Sequence, residues 1–129
     1  MLAVDTNVLV RFFTKDDPRQ TSRAGALLRE REVWIAKTVL LETEWVLTSV
    51  YGFTAEQIIA ALRGLIGLPN VQVEDDVGVA LALDWSSQGL DFADALHLTN
   101  CGQTDSFITF DETLAKRARR LTPVDVVLA

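Results

Sequence analysis

Five short runs rich in β-branched and aromatic residues recur along the chain: LAV at 2–4, VWIA at 33–36, VQV at 71–73, FITF at 107–110 and VDVVL at 124–128. Each has the length of a buried strand, and between them lie stretches whose apolar residues return at helical spacing. Parallel strands need a crossover of a dozen or more residues, usually a helix, whereas antiparallel neighbours need only a tight turn. The alternation therefore predicts an α/β layer structure built on a mostly parallel central sheet.

Start and stop signals bound the helices. NVLVRFF at 7–13 reads as a helical turn or two. Asp16-Asp17-Pro18 opens the helix RQTSRAGALLRERE, with acids at the positive end of the dipole and proline in the first turn. Thr38 begins TVLLETEWVLTSVYG, closed by Gly52, and Thr54 followed three residues on by Gln57 has the spacing of a capping box. Asp75-Asp76 caps VGVALALDWSSQ, which stops at Gly89. DFADALHLTNCG follows, ended by Gly102, and Asp111 starts ETLAKRARRL. Trp34, Trp45 and Trp85 fall at core-like spacing and are expected to pack inside.

A chain of 129 residues can bury one continuous core, so a single domain over 1–129 is expected. With 49% hydrophobic and 23% charged residues and no low-complexity segment or internal repeat, order is expected almost end to end. No apolar run approaches the ~20 residues of a membrane span. The N-terminal residues lack the basic flank and cleavage site of a signal peptide, and a cytoplasmic location is expected. One cysteine, Cys101, and one histidine, His97, exclude a thiolate zinc cage, so any metal must be held by oxygen. Cys101 is expected in the core. The formal charge of -6 argues against a field that collects nucleic acid over the whole surface, although Lys116, Arg117, Arg119 and Arg120 cluster near the C-terminus. No GxGxxG or GxxxxGK[ST] phosphate loop occurs.

Ligands of open parallel sheets collect at the carboxyl ends of the strands. Asp5, directly after the first strand, and Asp111, directly after FITF, fall at that edge; taken singly, each reads as the cap of the next helix. Asp91 and Asp94 stand at i, i+3 on one helix face, where like charges repel unless a cation intervenes. Glu42 and Glu44 lie on nearly opposite faces of a helix that is apolar on most sides, and periodicity leaves open which of them points inward. A lone His97 on a helix reads as a packed or surface residue.

VDTNVLVRFF, VLLETEWVL, LDFADALHL and FITFDETLAK, in this order and at these intervals, make the chain resemble a PIN domain, in particular the VapC-type toxin ribonucleases of toxin–antitoxin pairs. The resemblance implies a three-layer α/β/α sandwich and an acidic set of Asp5, Glu42, Asp94 and Asp111 that holds metal and carries catalysis. Its ExxWxL pattern selects Glu42 over Glu44. Thr6, Asn7 and Thr109 would support the acids, and Asp91 matches an additional acid outside the core set. It further implies Mg²⁺ or Mn²⁺ as cofactor, RNA as substrate, hydrolysis of phosphodiester bonds by a metal-activated water, homodimerisation and a cognate antitoxin protein.

The residues agree with that chemistry. Mg²⁺ prefers carboxylate and water oxygens and completes its shell with substrate phosphate. Arg11, Arg19, Arg23 and the 116–120 cluster are candidate phosphate contacts or solvated helical faces. Two other readings share the pattern: a non-catalytic PIN-like binding module in which the acids only cap helices, and a receiver-like phosphoacceptor domain. The second needs a lysine after the last strand, and the only lysines are Lys15, Lys37 and Lys116.

Overall fold

Leu2 and Ala3 pair in parallel with Val33 and Trp34, and Val33, Trp34 and Ile35 pair in parallel with Val71, Gln72 and Val73. In this computed structural model, which describes residues 1–129, those residues are the strands β1 (Leu2–Ala3), β2 (Val33–Ile35) and β3 (Val71–Val73), in spatial order β1-β2-β3. The period-2 alternation of β2 and β3 turns Val33, Ile35, Val71 and Val73 to a buried face, while Gln72 faces solvent.

These strands belong to the first of two compact units, Met1–Asp76. It also holds α1 (Thr6–Thr14), α2 (Pro18–Glu30), α3 (Lys37–Ser49) and α4 (Ala55–Ile66). Helix α1 packs on α2 and α3, and α4 on α3 and β3. Leu9, Leu28, Leu40, Leu47, Leu62 and Leu65 are wholly buried, each contributing roughly 1.5–3 kcal/mol of transfer free energy. Asp17 caps α2 by accepting from Gln20 N at 3.1 Å, ahead of Pro18 at the first helical position. The capping box of α4 is complete: Gln57 N donates to Thr54 Oγ1 at 3.2 Å, and Thr54 N donates to Gln57 Oε1 at 2.9 Å.

The second unit, Val77–Ala129, contains α5 (Asp76–Ser87, entering from the junction), α6 (Phe92–Thr99), β4 (Phe107–Thr109), α7 (Glu112–Leu121) and β5 (Val126–Leu128). Strands β4 and β5 pair in parallel, Phe107 with Val126 through Thr109 with Leu128. All strand pairing is thus parallel, as the alternation of elements predicts, and the hydrogen-bonded strands fall into two sheets. Helix α7 packs its Leu114, Ala115 and Ala118 face inward and lies against β4 and β5. Gly89 carries φ +116 after α5, a conformation that strains any residue with a Cβ, and its carbonyl accepts from Arg117 Nη1 at 3.1 Å.

Two packing expectations are corrected. Trp45 is 61% exposed, because the buried stripe of α3 runs through Leu40, Thr43 and Leu47, and at about 100° per residue Trp45 points away from it. Trp34 is half-buried and Trp85 is buried. Cys101 is half-buried just beyond the end of α6, its thiol donating to Leu98 O at 3.1 Å, rather than lying in the core. Helix ends also shift: α3 starts at Lys37 and stops at Ser49, with Val50 as its C-cap instead of Gly52, and α6 ends before Asn100 rather than at Gly102.

Candidate active site

Asp5 stands where β1 gives way to α1, and its backbone is still extended as the N-cap of that helix. Its Oδ1 accepts from Thr6 N at 2.7 Å, and its Oδ2 from Asn7 Nδ2 at 3.3 Å. The capping role expected of Asp5 taken singly is real. It leaves the carboxylate exposed at the carboxyl end of a parallel strand, where a ligand of an α/β protein is met.

Glu42 reaches the same place from α3. The Thr6 hydroxyl donates to Glu42 Oε1 at 2.5 Å, across 36 residues of sequence. Thr6 is one of two buried polar residues; the other, Thr43, returns its hydroxyl to Val39 O at 2.7 Å within its own helix. Thr6 is therefore the side chain that spans from the first strand's end to the α3 acid. Asp5, Thr6, Asn7 and Glu42 line one cavity of about 350 Å³, with Val10, Val46 and Val50 as an apolar wall. Glu42, Val46 and Val50 recur at intervals of four, so one stripe of α3 and its C-cap residue faces this cavity. Glu44, two residues from Glu42 and about 200° around the helix, is half-buried elsewhere and accepts from Thr48 Oγ1 at 3.4 Å.

Arg11 and Tyr51 complete the rim. Arg11 Nη1 donates to Asp16 Oδ1 at 3.0 Å and to the Tyr51 hydroxyl at 3.3 Å, and Nε donates to Gln20 Oε1 at 2.7 Å. The Tyr51 hydroxyl in turn donates to Asp16 Oδ2 at 2.9 Å. Tyr51 first, then Asp16, raises the Arg11 pKa, and the Tyr51 hydrogen bond lowers that of Asp16. Sequence reading named Arg11 but missed Tyr51, Asp16 and Gln20 as its holders, since the 35 residues between Asp16 and Tyr51 leave no local pattern.

The second unit gathers its own acids. Asp91 caps α6, accepting from Asp94 N at 3.2 Å, and Asp94 lies in the first turn. The Asp94 carboxyl is held above its ordinary pKa, first by burial, then by the negative charge of Asp91, with Asp111 adding to the rise and His97 opposing it. Asp111 caps α7 through Leu114 N at 3.0 Å, and its own backbone N–H donates to Thr109 Oγ1 at 3.0 Å. Thr109 thus braces Asp111 as Thr6 braces Glu42. Asp91 on the same helix and Asp111 at the start of α7 thus both bear on the Asp94 carboxyl.

Within the basic cluster, Arg117 docks on Gly89 O and Arg119 Nε donates to Val126 O at 3.2 Å, so two of its members hold the second unit together. No group of three or more histidine, cysteine, aspartate or glutamate side chains forms a metal cage. The donors present are carboxylates and neighbouring hydroxyl and amide groups. That set suits a hard cation that keeps several waters and takes one or two carboxylates, as Mg²⁺ does.

Parallel strands alternating with helices, with Asp5 and Asp111 just past strand ends, make this an α/β protein whose acids lie where ligands of such folds bind. The PIN domain family model matches residues 2–120, and the chain belongs to that family. PIN domains are generally nucleases and generally use divalent metal ions. Comparison with curated proteins gives no match. No helix is long and apolar enough to cross a membrane.

Proposed function

We propose that the chain is a Mg²⁺- or Mn²⁺-dependent endoribonuclease that acts in the cytoplasm as the toxin of a toxin–antitoxin pair. Its 129 residues act as one domain, and its cleavage depends on Asp5, Glu42, Asp94 and Asp111. The observation that carries this reading is the single cavity onto which Asp5 and Glu42 both open, tied by the Thr6 hydroxyl.

The side chains fit a cation there. Asp5 and Glu42 supply the one or two carboxylates Mg²⁺ takes, and Glu42 Oε2 makes no hydrogen bond within the protein. When bound, such an ion lowers the pKa of a water and neutralises charge on phosphoryl oxygens. The chain's own residues do the positioning. Thr6 holds the Glu42 carboxylate at one orientation, Asn7 holds Asp5, and Thr109 holds the backbone that presents Asp111. Asp94, disfavoured as an anion, gains most from a neighbouring positive charge. Arg11, kept in place by Asp16 and Tyr51, offers a guanidinium to a phosphate at the cavity's rim.

A homodimer and a cognate antitoxin protein belong to this proposal. RNA is the substrate, as PIN nucleases bind RNA. The opposing reading, a PIN-like binding module without catalysis, draws on the fact that Asp5, Asp91 and Asp111 each cap a helix. Brief expression in cells followed by sequencing of RNA ends separates the two. A ribonuclease yields new cut ends that are missing with Asp94→Asn, whereas a binding module yields identical ends in both.

A further inference from the structure

A second cavity adjoins the acidic one. It has a volume of about 480 Å³, and Asn7 and Arg11 line both, so the two are neighbours that share those side chains. Its size falls within the roughly 300–1,000 Å³ of small-molecule sites. Val8, Ala24 and Leu27 supply apolar surface from the facing sides of α1 and α2, while Gln20 and Arg23 stand at its polar margin.

We infer that this cavity receives one unstacked base of a single-stranded RNA, the neighbour of the nucleotide whose phosphate meets Asp5 and Glu42. The inference rests on the ribonuclease reading. A nucleobase has two apolar faces and a polar edge of donors and acceptors, and this cavity has the matching parts. Apolar side chains meet a ring face, the amides of Asn7 and Gln20 can both donate and accept at a base edge, and the planar guanidinium of Arg23 can stack. Arg23 is exposed and makes no ion pair in the protein. Arg11 and Gln20 are already bonded to each other at 2.7 Å, so their order is not lost on binding. A base in a duplex is stacked and cannot enter, which restricts the substrate to single strands or loops.

The test uses the full chain carrying Asp94→Asn, in Mg²⁺, with fluorescein-labelled oligo(A), oligo(C) and oligo(U) of equal length read by anisotropy. The expected result is a ranking of affinities that differ by roughly fivefold or more, with Gln20→Ala and Arg23→Ala each bringing the affinities together. Loss of affinity by the same factor for every oligomer would make these residues backbone contacts and overturn the base pocket. Equal binding of all three by the Asp94→Asn parent, or a ranking unmoved by both substitutions, also overturns it while leaving the ribonuclease reading in place. Failure of the parent to bind any oligomer overturns both. Gln20 and Arg23 are exposed, so neither substitution threatens the fold.

Discussion

Thr6 donates its hydroxyl to Glu42 at 2.5 Å, so the residue that begins the first helix orients the acid of the third. The bond fixes a carboxylate that would otherwise rotate freely at an exposed position of α3. It links two motifs 36 residues apart into one cavity, and it does so from a side chain that is itself buried.

Thr6→Val retains shape and removes the donor. Cleavage is expected to fall by about 10- to 100-fold, the usual effect of losing a group that orients a ligand, while Thr6→Ser retains most of it. Thermal stability should change little in Thr6→Val, because Glu42 is exposed and water replaces the lost partner. A loss of folding that matches the loss of activity would make Thr6 structural only.

Asp94 carries a stability cost with a definite pH signature. Its folded pKa lies above the unfolded value, through burial and then Asp91, so between those two values the native state binds more protons than the unfolded one. Stability therefore falls as pH rises through that window, and the penalty is complete above the folded pKa. Asp94→Asn is expected to melt at a higher temperature than the parent at pH 7, with the gain shrinking to nothing as the pH drops below the ordinary aspartate value. Melting curves across pH in EDTA check it.

Asp16 has the opposite sign. Its pKa is lowered, first by the Tyr51 hydroxyl and further by Thr14 and Arg11, so its favourable contribution is present above the unfolded value and is lost as pH falls through the folded one. Tyr51→Phe removes the hydroxyl, and the Asp16 carboxyl should titrate closer to its ordinary value by carbon-detected NMR. An unmoved Asp16 titration would remove Tyr51 from the network.

Under the proposed function, Mg²⁺ binds the folded chain and not the unfolded one. A concentration about 100-fold above the dissociation constant adds about 2.7 kcal/mol, which raises the melting temperature by several degrees. Asp5→Asn and Glu42→Gln should each weaken that shift. An equal shift in both variants would place the ion elsewhere.

Much of this arrangement was readable from sequence for physical reasons. Short apolar runs separated by helix-length stretches force parallel pairing, and caps such as Thr54 with Gln57, or Asp17 with Pro18, act locally and so leave local marks. Asp5 and Asp111 were readable as caps for the same reason. The choice of Glu42 over Glu44 was not readable from periodicity, because nearly every side of α3 is apolar; the ExxWxL resemblance made it, and the structure brings Glu42 to the Asp5 cavity. Trp45 misled, since its spacing suggested core while the buried stripe passed through Leu40, Thr43 and Leu47. The roles of Tyr51, Asp16 and Gln20 were invisible because the folded chain alone brings them together around Arg11.

Action of the acids on RNA through a bound cation is tested by the rate of cleavage of a single-stranded RNA by purified protein in Mg²⁺ and in EDTA, beside Asp5→Asn, Glu42→Gln, Asp94→Asn and Asp111→Asn. Asp5 and Asp111 are N-caps, and asparagine caps a helix as well as aspartate does, while Asp94→Asn keeps the side chain's shape in the first turn of α6, so the three asparagine variants retain the fold and isolate the charge. No cleavage is expected in EDTA, and losses on the order of 1,000-fold are expected in each variant with Mg²⁺. Full cleavage in EDTA, or in either Asp5→Asn or Glu42→Gln, would contradict that mechanism.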